Sequence, residues 1–336
     1  MPRFAFLVHP LTGFHRRVVG VRRADWSMAV GGEGRGEPGV ICNLTVEGIA
    51  EGVVVSVPLL PEPLLTDQQA ALEAMVRAVE VAREALGGLD AVGLGSLLAV
   101  VAGRGGALAE RVDMPVTTGA AATTWAAVEN TVAVMETLGQ RRVAVLGFAG
   151  TVGEGVAAAL GARGYEVVAG GSGRAMERQA KKLGVELSTP EAAAGSARVV
   201  VGASTTGGIL APEALAPGTV LLDIALPPTL KPGRRPEGVQ VLAGEAVALP
   251  EGWRKGFWGT IYHWLSYGHN QAYACLMEPI VLSVVGRDTP YAQGRRLKPN
   301  ALEDFRRDAR ALSLRPRLAR GWSEVRPQAL LTGPAG

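Results

Sequence analysis

Apolar and polar positions follow two rhythms along this chain. Short apolar runs bounded by Pro and Gly, at 4–9, 40–46 and 53–59, have the length and β-branched content of strands. Between 67 and 86 the apolar positions 72, 75, 76, 79 and 82 recur at helical spacing. That predicts a helix opened by Asp67 and stopped by Gly87 and Gly88. Residues 93–106 read as a buried strand entering a Gly-rich turn, and 117–139 as a long helix capped by Thr117 or Thr118. Apolar strands follow at 143–146, 166–169, 197–201, 220–223 and 239–242, with Ala-rich helix after the first; another helix is expected at 270–285. Strands alternating with helices predict an α/β protein: an N-terminal α/β domain, then a Rossmann-type doubly wound parallel sheet, then a helical C-terminal segment. The expected divisions are 1–118, a connecting helix 119–140, the dinucleotide domain 141–250, and 251–336.

The stretch 142–153, RVAVLGFAGTVG, organises the rest. Gly147, Gly150 and Gly153 follow a strand at three-residue spacing and lead into a helix. Strand, glycine turn and helix form the phosphate-binding corner of a dinucleotide fold. The first glycine permits the turn, the second lets backbone N–H groups of Gly150, Thr151 and Val152 reach a pyrophosphate, and the third lets helix and strand pack closely. The spacing is G-x-x-G-x-x-G rather than G-x-G-x-x-G, so the context carries the assignment. After the second strand an NAD-binding fold places an acid for the ribose; here the residues are Ala169-Gly170-Gly171-Ser172-Gly173-Arg174. A hydroxyl at Ser172 and a guanidinium at Arg174 suit the 2′-phosphate of NADP. Turns after later strands, including that of Ser204, line the cofactor cleft of such a sheet, and Thr118 and Gly119 are expected beside it.

Composition narrows the classes. Apolar residues make up 48% and charged residues 19% of 336, enough for large cores, and a net charge of +3 gives no reason to expect nucleic acid. No apolar run is long enough to span a membrane, and the N-terminus lacks a signal-peptide pattern, so a cytoplasmic protein is expected. Two cysteines, Cys42 and Cys275, build no disulfide framework, and His9, His15, His263 and His269 have no metal-binding spacing, so no metal site is expected. No tyrosine has a lysine four residues on and no lysine precedes Lys181, which disfavours two common dehydrogenase mechanisms. Seven aromatic residues crowd 253–273, either as packing between domains or as an apolar substrate wall. From 291 to 326 ten basic residues face four acids, a solvated helical face or a surface for an acidic partner.

Cys275 remains as candidate chemistry. A lone helical cysteine is commonly a small core residue. Here Gln271 and Glu278 lie at i−4 and i+3 on the expected helix, and Pro279 removes the N–H that would bond the Cys275 carbonyl. A thiol on a loosened, polar-lined turn is a candidate nucleophile, although a neighbouring carboxylate opposes its ionisation unless a cation such as His263 or His269 offsets it.

At these residues the chain resembles the cyanobacterial long-chain acyl-ACP reductases (ACP, acyl carrier protein), which reduce fatty acyl thioesters to aldehydes with NADPH. The likeness runs nearly end to end, through FLVHPLT at 6–12, 94–98, Thr117-Thr118-Gly119, the glycine corner, 221–227 and, above all, Gln271-Ala272-Tyr273-Ala274-Cys275 with Glu278. The resemblance implies that Cys275 accepts the acyl group, that Gln271 and Glu278 assist, and that NADPH reduces the bound acyl group to an aldehyde. It implies an acyl thioester substrate, with the aromatic segment as chain wall and the basic tail toward an acidic carrier protein. The family continues Thr-Thr-Gly with Asn-x-His/Tyr-Thr, whereas this chain has Ala120-Ala121-Ala122-Thr123. A two-domain NAD(P)-dependent dehydrogenase of a small amino, keto or hydroxy acid, with Cys275 inert, is the alternative. A cofactor-binding protein without catalysis is the reading from another class.

Overall fold

The computed structural model describes residues 1–9, 37–46, 48–250, 271–321 and 323–331. The expected loop at 31–39 falls almost wholly outside these residues, as do the aromatic residues 253–267, His15, His263 and His269. The described chain packs as two units, one built from Met1–Ala122 and Ala248–Leu314, the other from Thr123–Val247 and the chain from Arg315 on. The C-terminal stretch is therefore divided: its first part completes the N-terminal unit and its last part joins the second unit.

In the first unit β1 (Arg3–Val8), β3 (Ala50–Ser56), β4 (Ala91–Leu94) and β5 (Val116–Thr117) run parallel, with β2 (Gly39–Val46) antiparallel to β3 at the edge; the order is β2-β3-β1-β4-β5. One face is covered by the helix Gln68–Leu86, whose N-cap Asp67 accepts from Ala70 N at 2.9 Å and whose C-cap Gly87 is left-handed. The stripe toward the sheet is Ala71, Ala74, Met75, Ala78, Val79 and Ala82, with Leu72 and Val76 half-buried beside it. Small alanines let helix and sheet approach closely, which turns the expected apolar face by a fraction of a turn. The expected strand from 93 is confined to β4; beyond it the chain forms a short 3-10 helix, Ser96–Ala99. The helix Ala274–Val284 packs on β1 and β4, and the missing Cβ of Gly93 makes room for Pro279, whose Cγ lies 2.5 Å from where it would stand.

In the second unit β6 (Arg142–Leu146), β7 (Glu166–Gly170), β8 (Glu186–Ser188), β9 (Val199–Gly202), β10 (Val220–Asp223) and β11 (Gln240–Ala243) form a parallel sheet in the order β8-β7-β6-β9-β10-β11. That is the doubly wound order, with its switch point between β6 and β9. The central strands are apolar because both faces are covered. Val143 and Val145 join one core with Val156 and Leu160, and Ala144 and Leu146 join the other with Ala193 and Val200. The helix Ala120–Thr137 carries the chain into this unit. At the β11 edge Leu318–Arg320 and Ser323–Val325 add two antiparallel strands, where a helical tail was expected. Of the basic residues there, Arg306 and Arg307 pair with Glu303, Asp304 and Asp308 on their own helix, and Arg317 with Glu324. No helix among the described residues is long and apolar enough to cross a membrane.

Candidate functional site

Two clusters bring candidate residues together, one in each unit. In the second unit, Gly147 follows β6 with φ +78°, and a Cβ there would lie 2.5 Å from Ala203 C and Ser204 N, on the neighbouring turn after β9. A Cβ on Gly153 would stand 2.3 Å from Gly147 O, so helix Thr151–Ala162 sits directly on the turn. Gly150 differs: its φ of −81° suits any residue, and its nearest neighbour would be Gly147 O at 3.4 Å. A Cβ at Gly150 would make only ordinary van der Waals contact, with Gly147 O at 3.4 Å and Ala203 O at 3.9 Å, at the N-terminus of the helix Thr151–Ala162. A pyrophosphate fits this cradle by shape and by charge. Gly150→Ala is therefore expected to leave urea unfolding within about 0.5 kcal/mol of the parent. It is also expected to weaken binding of a dinucleotide at this corner roughly tenfold or more, measured by fluorescence titration with NADH and NADPH.

Ser172 and Arg174 both lie exposed beyond β7, with Arg174 opening the helix Arg174–Leu183 after Gly173 at φ +98°. No acid stands between Gly170 and Arg174. Beyond β9, the Ser204 hydroxyl lies 2.9 Å from that of Thr206 and accepts from Thr206 N, a local turn. Sequence reasoning missed Asp223, at the end of β10. Its carboxylate accepts from Thr229 Oγ1 at 2.7 Å, Thr229 N at 3.0 Å and Ala225 N at 3.1 Å, and so closes the turn 224–229. Burial raises its pKa above the usual carboxylate range, and those hydrogen bonds oppose the rise. The only signal was an acid at the end of an apolar strand followed by a double proline.

In the first unit the cluster is Thr117, Thr118, Gly119, Cys275 and Glu278. The expected helix 270–285 begins only at Ala274; Gln271 lies in the strand Gln271–Tyr273. Gln271 therefore does not share a helix face with Cys275. Its side chain is 4% exposed and its Oε1 has no hydrogen-bond partner among the described residues. Cys275 stands second in the helix, half-buried, where the helix dipole is positive. Its placement follows from the helix start rather than from loosening at Pro279. Gly119, at φ +73°, packs on it so closely that a Cβ would lie 2.5 Å from Cys275 Cβ and 2.7 Å from its Cα. Gly119→Ala is expected to cost about 2 kcal/mol, from the left-handed backbone and the forced displacement, measured by urea denaturation.

Thr117 and Thr118 do not cap the following helix. Thr117 ends β5, and its hydroxyl is bonded to Glu278 Oε1 and lies 3.1 Å from Ala292 O; Thr118 N donates to Ala292 O at 3.0 Å. The cap comes from another element: Glu278 Oε2 accepts from Ala122 N, third residue of the helix Ala120–Thr137, at 2.8 Å. Glu278 is fully buried, and desolvation pushes its pKa from 4.5 up to about 7. The hydrogen bonds from Ala122, Thr117, Ala121 and Ala292 work in the opposite direction. Both oxygens are committed inside the protein, so Glu278 is placed to hold structure rather than to touch substrate. Thr118 and Gly119, expected at the cofactor, belong with Cys275 in the first unit, whereas Gly147 and Ser204 belong to the second. His9, 7% exposed at the end of β1, accepts from Leu97 N through Nε2 at 3.2 Å.

No protein-family model matches the chain. Over 278 residues, 75% of the chain, it is 28% identical to the aminotransferase PigE of Serratia sp. and spans 31% of that protein. Among solved structures it is similar to the dipicolinate synthase A chain of Bacillus subtilis, 14% identical over 71% of this chain and 88% of that one, with a TM-score of 0.33. A phosphoglycerate oxidoreductase from Vibrio cholerae is 16% identical over 66% and 74% of the two chains, TM-score 0.27, and a transhydrogenase from Sinorhizobium meliloti 14% identical over 56% and 59%, TM-score 0.29. At such identities and scores no residue role passes from these structures to this chain.

Proposed function

We propose that the protein is a nicotinamide-dependent oxidoreductase that reduces an acyl thioester to an aldehyde through Cys275. The observation that carries this reading is the half-buried cysteine in the first turn of the helix Ala274–Val284, held against Gly119. A helix N-terminus favours a thiolate over a thiol, and the thiolate is the nucleophile. Attack on the thioester carbonyl forms a new thioester at Cys275 Sγ and releases the carrier as its thiol. In this reading the positive end of the helix dipole stabilises the negative charge on the oxygen of each tetrahedral species. Gln271 offers a buried amide whose Oε1 can accept from the hydroxyl of a thiohemiacetal. Collapse of that thiohemiacetal breaks the C–S bond, leaves the aldehyde and returns Cys275. A nicotinamide cofactor, when bound at the glycine corner, supplies the hydride.

NADPH is proposed over NADH because Arg174 and Ser172 stand exposed where an acid would otherwise bind the ribose. The reading also accords with a relative named as an aminotransferase, since an aldehyde is a carbonyl compound of the kind that transamination consumes. A soluble cytoplasmic setting and an acidic carrier protein as partner belong to this proposal. The local pairing of Arg306, Arg307 and Arg317 reduces the free positive charge that such a partner would meet.

The second reading is a dehydrogenase of a small amino, keto or hydroxy acid, with Cys275 as packing. It is favoured by the close packing of Gly119 on Cys275, where a Cβ at 119 would lie 2.5 Å from the Cys275 Cβ, as for a structural cysteine. One experiment separates the two. Protein incubated without cofactor with fatty acyl-ACP, or with coenzyme A thioesters of short and long acyl chains, is expected to gain the mass of one acyl group. Adding NADPH is expected to discharge it as aldehyde. No adduct from any donor, with NADPH-dependent reduction of 2-oxo acids, would establish the second reading instead.

A further inference from the structure

Glu278 lies three residues beyond Cys275 on one helix, a separation that brings side chains to neighbouring positions about 5–6 Å apart. A carboxylate there opposes a thiolate at Cys275. The cage around Glu278 offers a way out. With Glu278 ionised, the Thr117 hydroxyl donates to Oε1. With Glu278 protonated, the acid donates to Thr117 Oγ1 and the Thr117 hydroxyl turns to Ala292 O, 3.1 Å away. Ala122 N donates to Oε2 in both states. Each state is fully hydrogen-bonded, so the proton can be kept or released without leaving a buried group orphaned.

We propose that Glu278 is a positioning residue which keeps its proton inside the Thr117–Ala122 cage while Cys275 gives one up, so that the pair carries a single negative charge. This rests on the reading of Cys275 as nucleophile. Burial favours the neutral carboxyl, with a pKa of about 7. Around it, the hydroxyl of Tyr291 donates to Asp308 at 2.6 Å, and the Tyr291 ring lies under Arg287 at 4.5 Å. Asp304 and Asp308 are paired with Arg287 and Arg307. Just beyond β1, His9 accepts from Leu97 N, while β5 presents the hydroxyl of Thr117. Among the described residues no cation sets the state of Glu278, and its charge also reaches the Tyr291 hydroxyl, which it helps to keep protonated.

The test is native-state alkylation of Cys275 by iodoacetamide at pH 6 and pH 8.5, followed by peptide mass spectrometry. Glu278→Gln keeps an acceptor for Ala122 N and a donor for Thr117, and mimics the protonated acid. Its rate relative to the parent is expected to be near one at pH 6 and to rise on the order of tenfold at pH 8.5, where the parent carries the extra charge. Thr117→Val removes a donor to the carboxylate and is expected to move the parent's inflection to higher pH. A Glu278→Gln ratio equal at both pH values, or an unmoved inflection in Thr117→Val, overturns the proposal while leaving the thioester reading intact. Labelling of Cys275 only on unfolding overturns both.

Discussion

Replacing Cys275 with serine is expected to abolish the acyl adduct and to lower aldehyde formation on the order of 10³-fold or more, with the unfolding midpoint nearly unchanged. Serine fits a site that holds cysteine, and its hydroxyl is not ionised at neutral pH, so the loss isolates the nucleophile from the packing. The chain carries its own control. Its other thiol, Cys42 on β2, is pushed up to about 12 by burial and stays protonated at the pH of the assay. An adduct on the native protein therefore reports Cys275, and peptide mapping confirms the position. If Cys275→Ser still turns over thioester at the parental rate, the covalent route is excluded. If the parent reduces 2-oxo acids and the variant does so equally well, the dehydrogenase reading holds.

The second large effect is a pH dependence of stability that belongs to Glu278. Its pKa is about 7 in the folded protein against 4.5 for the free group, so folding favours the protonated form. The contribution is full below about 4.5 and is lost as pH rises through 7. The interval corresponds to about 3 kcal/mol between the two limits. Urea unfolding of the parent and of Glu278→Gln, compared from pH 5 to pH 8.5, is expected to show the variant gaining on the parent as pH rises. The hydrogen-bonded cage is retained in the variant, so the difference tracks the charge. Parallel stability curves across that range would show that Glu278 is already ionised in the folded state.

The doubly wound unit was legible from the chain because its signals are local. RVAVLG joins an apolar strand to a turn, and the close approach of Gly153 to Gly147 is a contact between residues six apart. The strand order then follows from alternating strands and helices that must cover a parallel sheet. Val220–Asp223 was read with its bounds intact for the same reason: a buried central strand is apolar throughout and ends at a polar residue.

The first unit's cluster was half legible. Cys275, Gln271 and Glu278 were picked out as residue types, but on a helix beginning four residues too early, because nothing in Asn270-Gln271-Ala272-Tyr273 forbids helix. What stops it there is strand geometry at Gln271–Tyr273, set by the surrounding fold. Thr117 and Thr118 were read as caps because threonine caps well in isolation. A carboxylate from residue 278 takes the Ala122 N–H instead, across 156 residues of sequence that local pattern does not span.

The amino-acid sequence by itself determined the α/β architecture, the glycine corner and the candidate thiol, since each rests on spacings within a single turn or strand. The tertiary structure alone decided that Cys275 stands in the first turn of its helix beneath Gly119, that Glu278 is buried with both oxygens engaged, and that the chain beyond Arg315 returns to extend the second sheet. Those features depend on burial and on partners far along the chain, and burial sets the energy of a charge more strongly than any neighbour in sequence.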